Sequence, residues 1–156
     1  MIPGIRWIVV DGYNLLHRAG GAGGGDWRGA RHRLIRRIER LAAPGLRVTV
    51  VFDGRSSVPP EEAGLYGVDI VYPDPSLGAD IWIEQAVGAA DRPAEILVVT
   101  SDLAMRHSIE AAGAATMSSG DFLERLDRAP YPTQRPASPP RRFGPNLGDA
   151  FPPRTG

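Results

Sequence analysis

The chain has 156 residues, the length of one ordinary domain, and 42% of them are hydrophobic, enough to bury a core. It contains no cysteine, and its 18 basic residues, balanced by 18 acidic ones, are all arginine. This excludes disulfides, zinc–thiolate sites, thiol nucleophiles and every lysine-based mechanism, including the lysine of nucleotide-binding phosphate loops, and leaves any metal to oxygen or imidazole ligands.

Ile5 to Val10 is an apolar, β-branched run ending at Asp11-Gly12. It predicts a strand rather than a signal peptide, and no stretch approaches the roughly 18 apolar residues of a membrane helix. Asn14 falls in the loop that follows, which continues through Gly20, Gly21, Gly23, Gly24 and Gly25. From Asp26 to Leu41 the period becomes helical, with Trp27, Ala30, Leu34, Ile38 and Leu41 on one face, Asp26 as N-cap and Gly45 as stop. Val48 to Phe52 predicts a second strand ending at Asp53-Gly54, and Val68 to Tyr72 a third. Leu77 to Ala89 predicts a helix with Ser76 near its start. Ile96 to Thr100 is the fourth strand, ending at Ser101-Asp102. A helix over 104–112 stops at Gly113, a short strand covers 115–117, and a last helix starts near Ser118 or Ser119 and runs to Arg128. Residues 129–156 hold eight of the 15 prolines and a net charge of +3, and predict a disordered tail after a domain of residues 1–128.

Continuous apolar strands alternating with helices predict an α/β fold: a mostly parallel sheet of about five strands, covered by helices on both faces as a three-layer α/β/α sandwich. Such sheets carry their sites at the carboxyl ends of the strands. Asp11, Asp53 and Asp102 each follow a predicted strand, and Asp80 and Glu84 lie one helical turn apart. With the amide oxygen of Asn14 they make an all-oxygen set suited to magnesium or manganese. Taken singly, each acid has a structural explanation: a turn before glycine for Asp11 and Asp53, an N-cap for Asp102, a helix-dipole contact for Asp80, a solvated face for Glu84. Their joint position on one edge points to a site. Other α/β chemistries lack their residues. Tyr13 stands where a haloacid-dehalogenase-type phosphatase needs a second aspartate, a receiver domain needs a lysine, and neither a dinucleotide fingerprint nor a nucleophile elbow occurs. His17, His32 and His107 have no metal-ligand spacing.

Residues 8–16 (Ile-Val-Val-Asp-Gly-Tyr-Asn-Leu-Leu) resemble the opening of NYN domains, which belong to the PIN-like nucleases. Val50-Val51-Phe52-Asp53-Gly54, Ala79-Asp80 with Ile83-Glu84, Val98-Val99-Thr100-Ser101-Asp102, and Gly113-Ala114 followed by Ser118 and Phe122 resemble the later motifs in order. The resemblance is to the YacP-like branch and covers about residues 5 to 128. It implies a metal-dependent endoribonuclease in which Asp11, Asp80 and Asp102 form the catalytic, magnesium- or manganese-binding centre. Asp53 and Glu84 would be further metal ligands, with Asn14 and Ser101 in support. Water activated at such a centre would leave a 5′ phosphate and a 3′ hydroxyl.

An acidic centre repels the RNA backbone, so positive charge is expected nearby. Residues 26–40 carry a net charge of +4, with Arg33, Arg36, Arg37 and Arg40 on one helical face. Arg55 and Arg106, close in sequence to Asp53 and Asp102, are further candidates for gripping phosphate. The expected substrate is RNA, single-stranded or messenger, in the cytoplasm, with a ribosome as a further partner. The competing readings are a catalytically silent RNA-binding or ribosome-associated module on the same fold, and a metal-dependent phosphohydrolase of a small nucleotide.

Overall fold

In the computed structural model, which describes residues 2–20, 26–53 and 67–129, each predicted strand joins one parallel sheet. The strands are β1 (Trp7–Asp11), β2 (Arg47–Val51), β3 (Asp69–Val71), β4 (Ile96–Val99) and β5 (Ala115–Met117), in the order β3-β2-β1-β4-β5. Among the described residues the connecting helices are α1 (Gly12–Arg18), α2 (Trp27–Ile38), α3 (Gly78–Ala89), α4 (Leu103–Ala111) and α5 (Ser119–Arg128). None is long and apolar enough to cross a membrane.

The strands are apolar on both sides because both sides are covered. Ile8, Val10, Val50, Phe52 and Val99 face Leu15, Leu34, Ile38, Phe122 and Leu126 of α1, α2 and α5. Val9, Val51, Val71 and Val98 face Trp82, Ile83, Met105 and Ile109 of α3 and α4. This is the three-layer sandwich the sequence predicts. The caps also fall where expected: Asp26 accepts the N–H of Gly29 at 3.0 Å, Asp102 that of Met105 at 3.1 Å, and Ser118 that of Asp121 at 3.1 Å.

One local expectation changes. The segment after β1 is not a loop but the helix α1, so Asn14 is a helical residue. Seven residues cannot hold a helix alone; buried Leu15 and Leu16 hold this one against the sheet. Gly12 therefore is no simple turn residue. A Cβ on it would lie 2.6 Å from the Phe52 ring and 2.9 Å from the carbonyl oxygen of Val51, so glycine lets α1 start hard against β2. Ser76 lies near the start of α3, as expected. Its N–H and hydroxyl both donate to the Asp74 carboxylate, at 2.9 and 2.7 Å, and Gly78, with φ 77°, turns the chain into the helix. The glycines at 21–25, Arg55 and the tail from residue 130 onward lie outside the described residues.

From β1 the chain steps to β2 and β3 on one side, then to β4 and β5 on the other. The strand order reverses between β1 and β4, and the crevice outside their carboxyl ends is where such sheets bind ligands.

Candidate functional site

Side chains alternate along a strand, so Asp11 shares the α3/α4 face with Val9. In the β1–β4 register Val10 lies opposite Val99, which brings Thr100 opposite Asp11. The Thr100 hydroxyl donates to Asp11 Oδ2 at 3.2 Å and accepts the N–H of Asp102 at 3.2 Å. One buried hydroxyl thus links the two strand-end aspartates. Asp53 follows Val51 by two residues and comes from the same side of the sheet. Asp80 sits in the first turn of α3 with Glu84 one turn on, both exposed, while Ala79, Trp82, Ile83, Ala86 and Val87 bury the other side of that helix.

The acids act on one another. Burial, then the charge of Asp80, push the Asp11 carboxyl from 3.8 up to about 6; Asp102 adds to this, and the Thr100 hydroxyl and the Asn14 N–H oppose it. Asp80 is raised above the ordinary carboxylate range by desolvation and then by Asp102, Glu84 and Asp53. Asp11, Asp53 and Asp80 line a cleft of about 280 Å³ that Tyr13 and Gly78 also border. The five predicted acids therefore do share one edge. Among the described residues, however, no three His, Asp or Glu side chains are set to hold a metal ion together. Bare carboxylates repel, and Asp102 is turned to its own helix by the cap bond to Met105. The donor set, all carboxylate oxygen at one strand edge, fits a hard divalent cation such as magnesium or manganese.

Asn14 and Ser101 have other work. Asn14 Oδ1 accepts the N–H of Ser101 at 2.9 Å and the hydroxyl of Ser119 at 2.6 Å, and Ser101 Oγ accepts the N–H of Ser119 at 3.0 Å. The amide oxygen expected to face a cation instead ties α1 to the β4–α4 turn and to α5. Asn14→Ala should lower stability by about 1–3 kcal/mol, read from urea unfolding. Full stability with lost activity would return Asn14 to the ligand set.

Among the described residues, the predicted arginines of the first long helix are not brought to the acids. Parallel strands make α2 run back along the sheet from the carboxyl to the amino edge. Its start is at Tyr13, whose ring packs edge-on against Trp27 and Phe52 and whose hydroxyl accepts from buried Arg31 at 3.2 Å. Arg40 lies beyond the far end of α2, in a 3-10 turn over Glu39–Leu41. Arg33 and Arg36 are exposed, and Arg37 bridges to Asp127 of α5 at 2.9 Å. Arg106 Nε donates to Thr116 of β5 at 3.1 Å. Among the described residues, Arg18, in the last turn of α1, comes near Asn14 and Ser101; sequence reading passed over it because α1 itself was too short to declare a period. It lines a second cleft, of about 530 Å³, together with Asn14 and Ser101.

The family model of the YacP-like NYN domain matches residues 8–141. Two crystal structures of Rae1 (YacP) from Bacillus subtilis are similar to the chain. One has a TM-score of 0.67 at 26% identity and covers 78% of this chain and 74% of that one. The other, of the W164L mutant, has a TM-score of 0.65 at 25% identity over 80% of this chain and 77% of that one. No curated protein matches the chain.

Proposed function

The chain belongs to the YacP-like NYN domain family, and from that premise we propose that it is a metal-dependent endoribonuclease whose acidic centre is Asp11, Asp80 and Asp102. The observation that carries the proposal is the mutual electrostatic strain of these acids at the carboxyl edge of the sheet, with Asp11 buried and pushed up to about 6. A protein that only binds RNA gains nothing from crowding like charges where phosphate must approach; a cation relieves that crowding.

Asp11, Asp80 and Asp102 would hold magnesium or manganese, with Asp53 and Glu84 at the margin. Such an ion, when bound, supplies an activated water and neutralises charge on the phosphate. The chain's own residues then have defined tasks. Thr100 fixes one oxygen of Asp11 and, through the Asp102 N–H, the start of α4. The cap bond from Met105 orients the Asp102 carboxylate. Asn14 and Ser101 brace the wall behind them. No side-chain nucleophile is needed, in keeping with a chain that has no cysteine or lysine. Arg33, Arg36, Arg37 and Arg40, on the outer layer and away from the acids, would meet only RNA that extends well beyond the cleft, and a cytoplasmic location goes with that substrate.

The second reading is a silent RNA-binding or ribosome-associated module. It is favoured by the fact that, among the described residues, no three acids are set to hold an ion. End-labelled single-stranded RNA incubated with the protein in magnesium, manganese or EDTA separates the two. Metal-dependent fragments carrying 5′ phosphate, absent with an Asp11→Asn, Asp80→Asn double variant, are the expected result. Binding without cleavage would favour the module, and cleavage by the double variant would refute this centre.

A further inference from the structure

The second cleft adjoins the acidic centre without sharing its carboxylates. Its floor is formed by Asn14 and Ser101, the residues braced behind Asp11 and Asp102. Along its wall run His17, Arg18 and Gly120. Arg18 is exposed at the carboxyl end of α1, where the helix dipole favours a cation. Its guanidinium meets Gly120 through the edge that carries Nε and one Nη. A Cβ on that glycine would come within 3.2 Å of Arg18 Nε and 3.3 Å of an Nη. Two acids, Asp121 and Glu124, line the same cleft. Neither lies within ion-pair reach of Arg18: Glu124 is bridged to Arg128, and Asp121 occupies the first turn of α5, where the helix dipole favours an acid. The guanidinium thus rests one edge on Gly120 and keeps its other, paired Nη edge for the cleft.

A planar, always charged group with free paired donors is the chemistry that binds a phosphodiester. We propose that Arg18, seated on Gly120, binds the RNA phosphate adjoining the scissile one, so that the strand enters or leaves the acidic centre through this cleft. The inference rests on the RNA-directed reading above and adds an anchor at the cleft, since among the described residues the arginines of α2 and Arg106 are directed elsewhere. It also assigns a reason for glycine in the first turn of α5, where alanine would otherwise favour the helix.

The test is RNA binding, kept apart from cleavage. In an Asp80→Asn background, a short fluorescein-labelled single-stranded RNA is titrated in magnesium at several salt concentrations and followed by anisotropy. Arg18→Ala should weaken binding about tenfold and lower the salt slope by about 0.7. Gly120→Ala, which alters no charge and makes the Arg18 guanidinium give by a few tenths of an ångström, should weaken binding by a smaller factor, and should have no further effect once Arg18 is alanine. Arg18→Lys should restore the salt slope but only part of the affinity. Thermal melts that match the parent protect the comparison from unfolding, which an exposed helix-end residue gives no reason to expect. Equal affinity and slope with and without Arg18, no measurable binding by either protein, or additive losses for Arg18→Ala and Gly120→Ala would each overturn the proposal. A parent protein that fails to cleave RNA but shows the Arg18 effect would overturn the ribonuclease reading alone.

Discussion

Asp11→Asn should abolish metal-dependent cleavage, by at least about a hundredfold, and should at the same time make the metal-free protein more stable at neutral pH. The sign follows from burial. Asp11 is 8% exposed and its carboxyl is raised from 3.8 to about 6 in the folded chain, so the folded state binds the proton more tightly than the unfolded one. Below about pH 4 both states carry the proton and nothing is lost. Between about pH 4 and 6 the unfolded chain releases it first, and stability falls as pH rises. Above about pH 6 the full penalty stands, about 3 kcal/mol. Asparagine keeps an oxygen for the Thr100 hydroxyl and carries no charge. Melting curves in EDTA from pH 4 to 8 should therefore diverge in that window, with the parent falling below the variant. Magnesium should raise the melting temperature of the parent and leave the variant unmoved, because a ligand stabilises only the fold that binds it. A variant less stable than the parent at every pH would make Asp11 a structural residue.

Gly12→Ala is expected to damage both the fold and the site. The added carbon would sit 2.6 Å from the Phe52 ring and 2.9 Å from the Val51 carbonyl, and Phe52 is fully buried. Such overpacking typically costs about 1–3 kcal/mol, which should appear as a lower urea midpoint. The neighbours on either side are Asp11 and Tyr13, so relief by moving α1 displaces the acidic centre. Displacement of about 1 Å lowers activity by about a hundredfold. Activity measured where the variant is still fully folded should thus fall more than stability does. Phe52→Leu removes the ring but not the carbonyl contact and should recover part of the loss in the double variant, by coupling between neighbours. Gly12→Ala with a parent-like midpoint would show that β1 and β2 have room to part.

The sheet was legible because its strands are continuous apolar runs closed by Asp11, Asp53 and Asp102, and because a parallel sheet buried on both faces demands that composition. The acids were legible as a set for the same reason: residues that end parallel strands meet at one edge whatever the loops do. Asp80 and Glu84 followed from helical spacing and the family's motif. Local chemistry also settled the caps at Asp26, Asp102 and Ser118, each a short polar side chain placed before an apolar periodic stretch.

What lay beyond the sequence was whatever depends on contacts between segments far apart in the chain. Helix α1 is too short to be stable by its own propensity and exists because Leu15 and Leu16 find the sheet. Asn14 looked like a free amide oxygen until α5, more than a hundred residues on, supplied the Ser119 hydroxyl that occupies it. The arginines of α2 share a face in the sequence, but the direction of that helix carries most of them toward the opposite edge of the sheet. Arg18 became a candidate only once folding laid Gly120 beneath it. The sequence by itself determined the layer architecture and the acidic edge, since hydrophobic period and strand ends are local properties. Tertiary structure alone decided which polar groups are already satisfied and which remain free to meet a substrate, because a hydrogen bond or a close approach between distant segments has no signature in either segment alone.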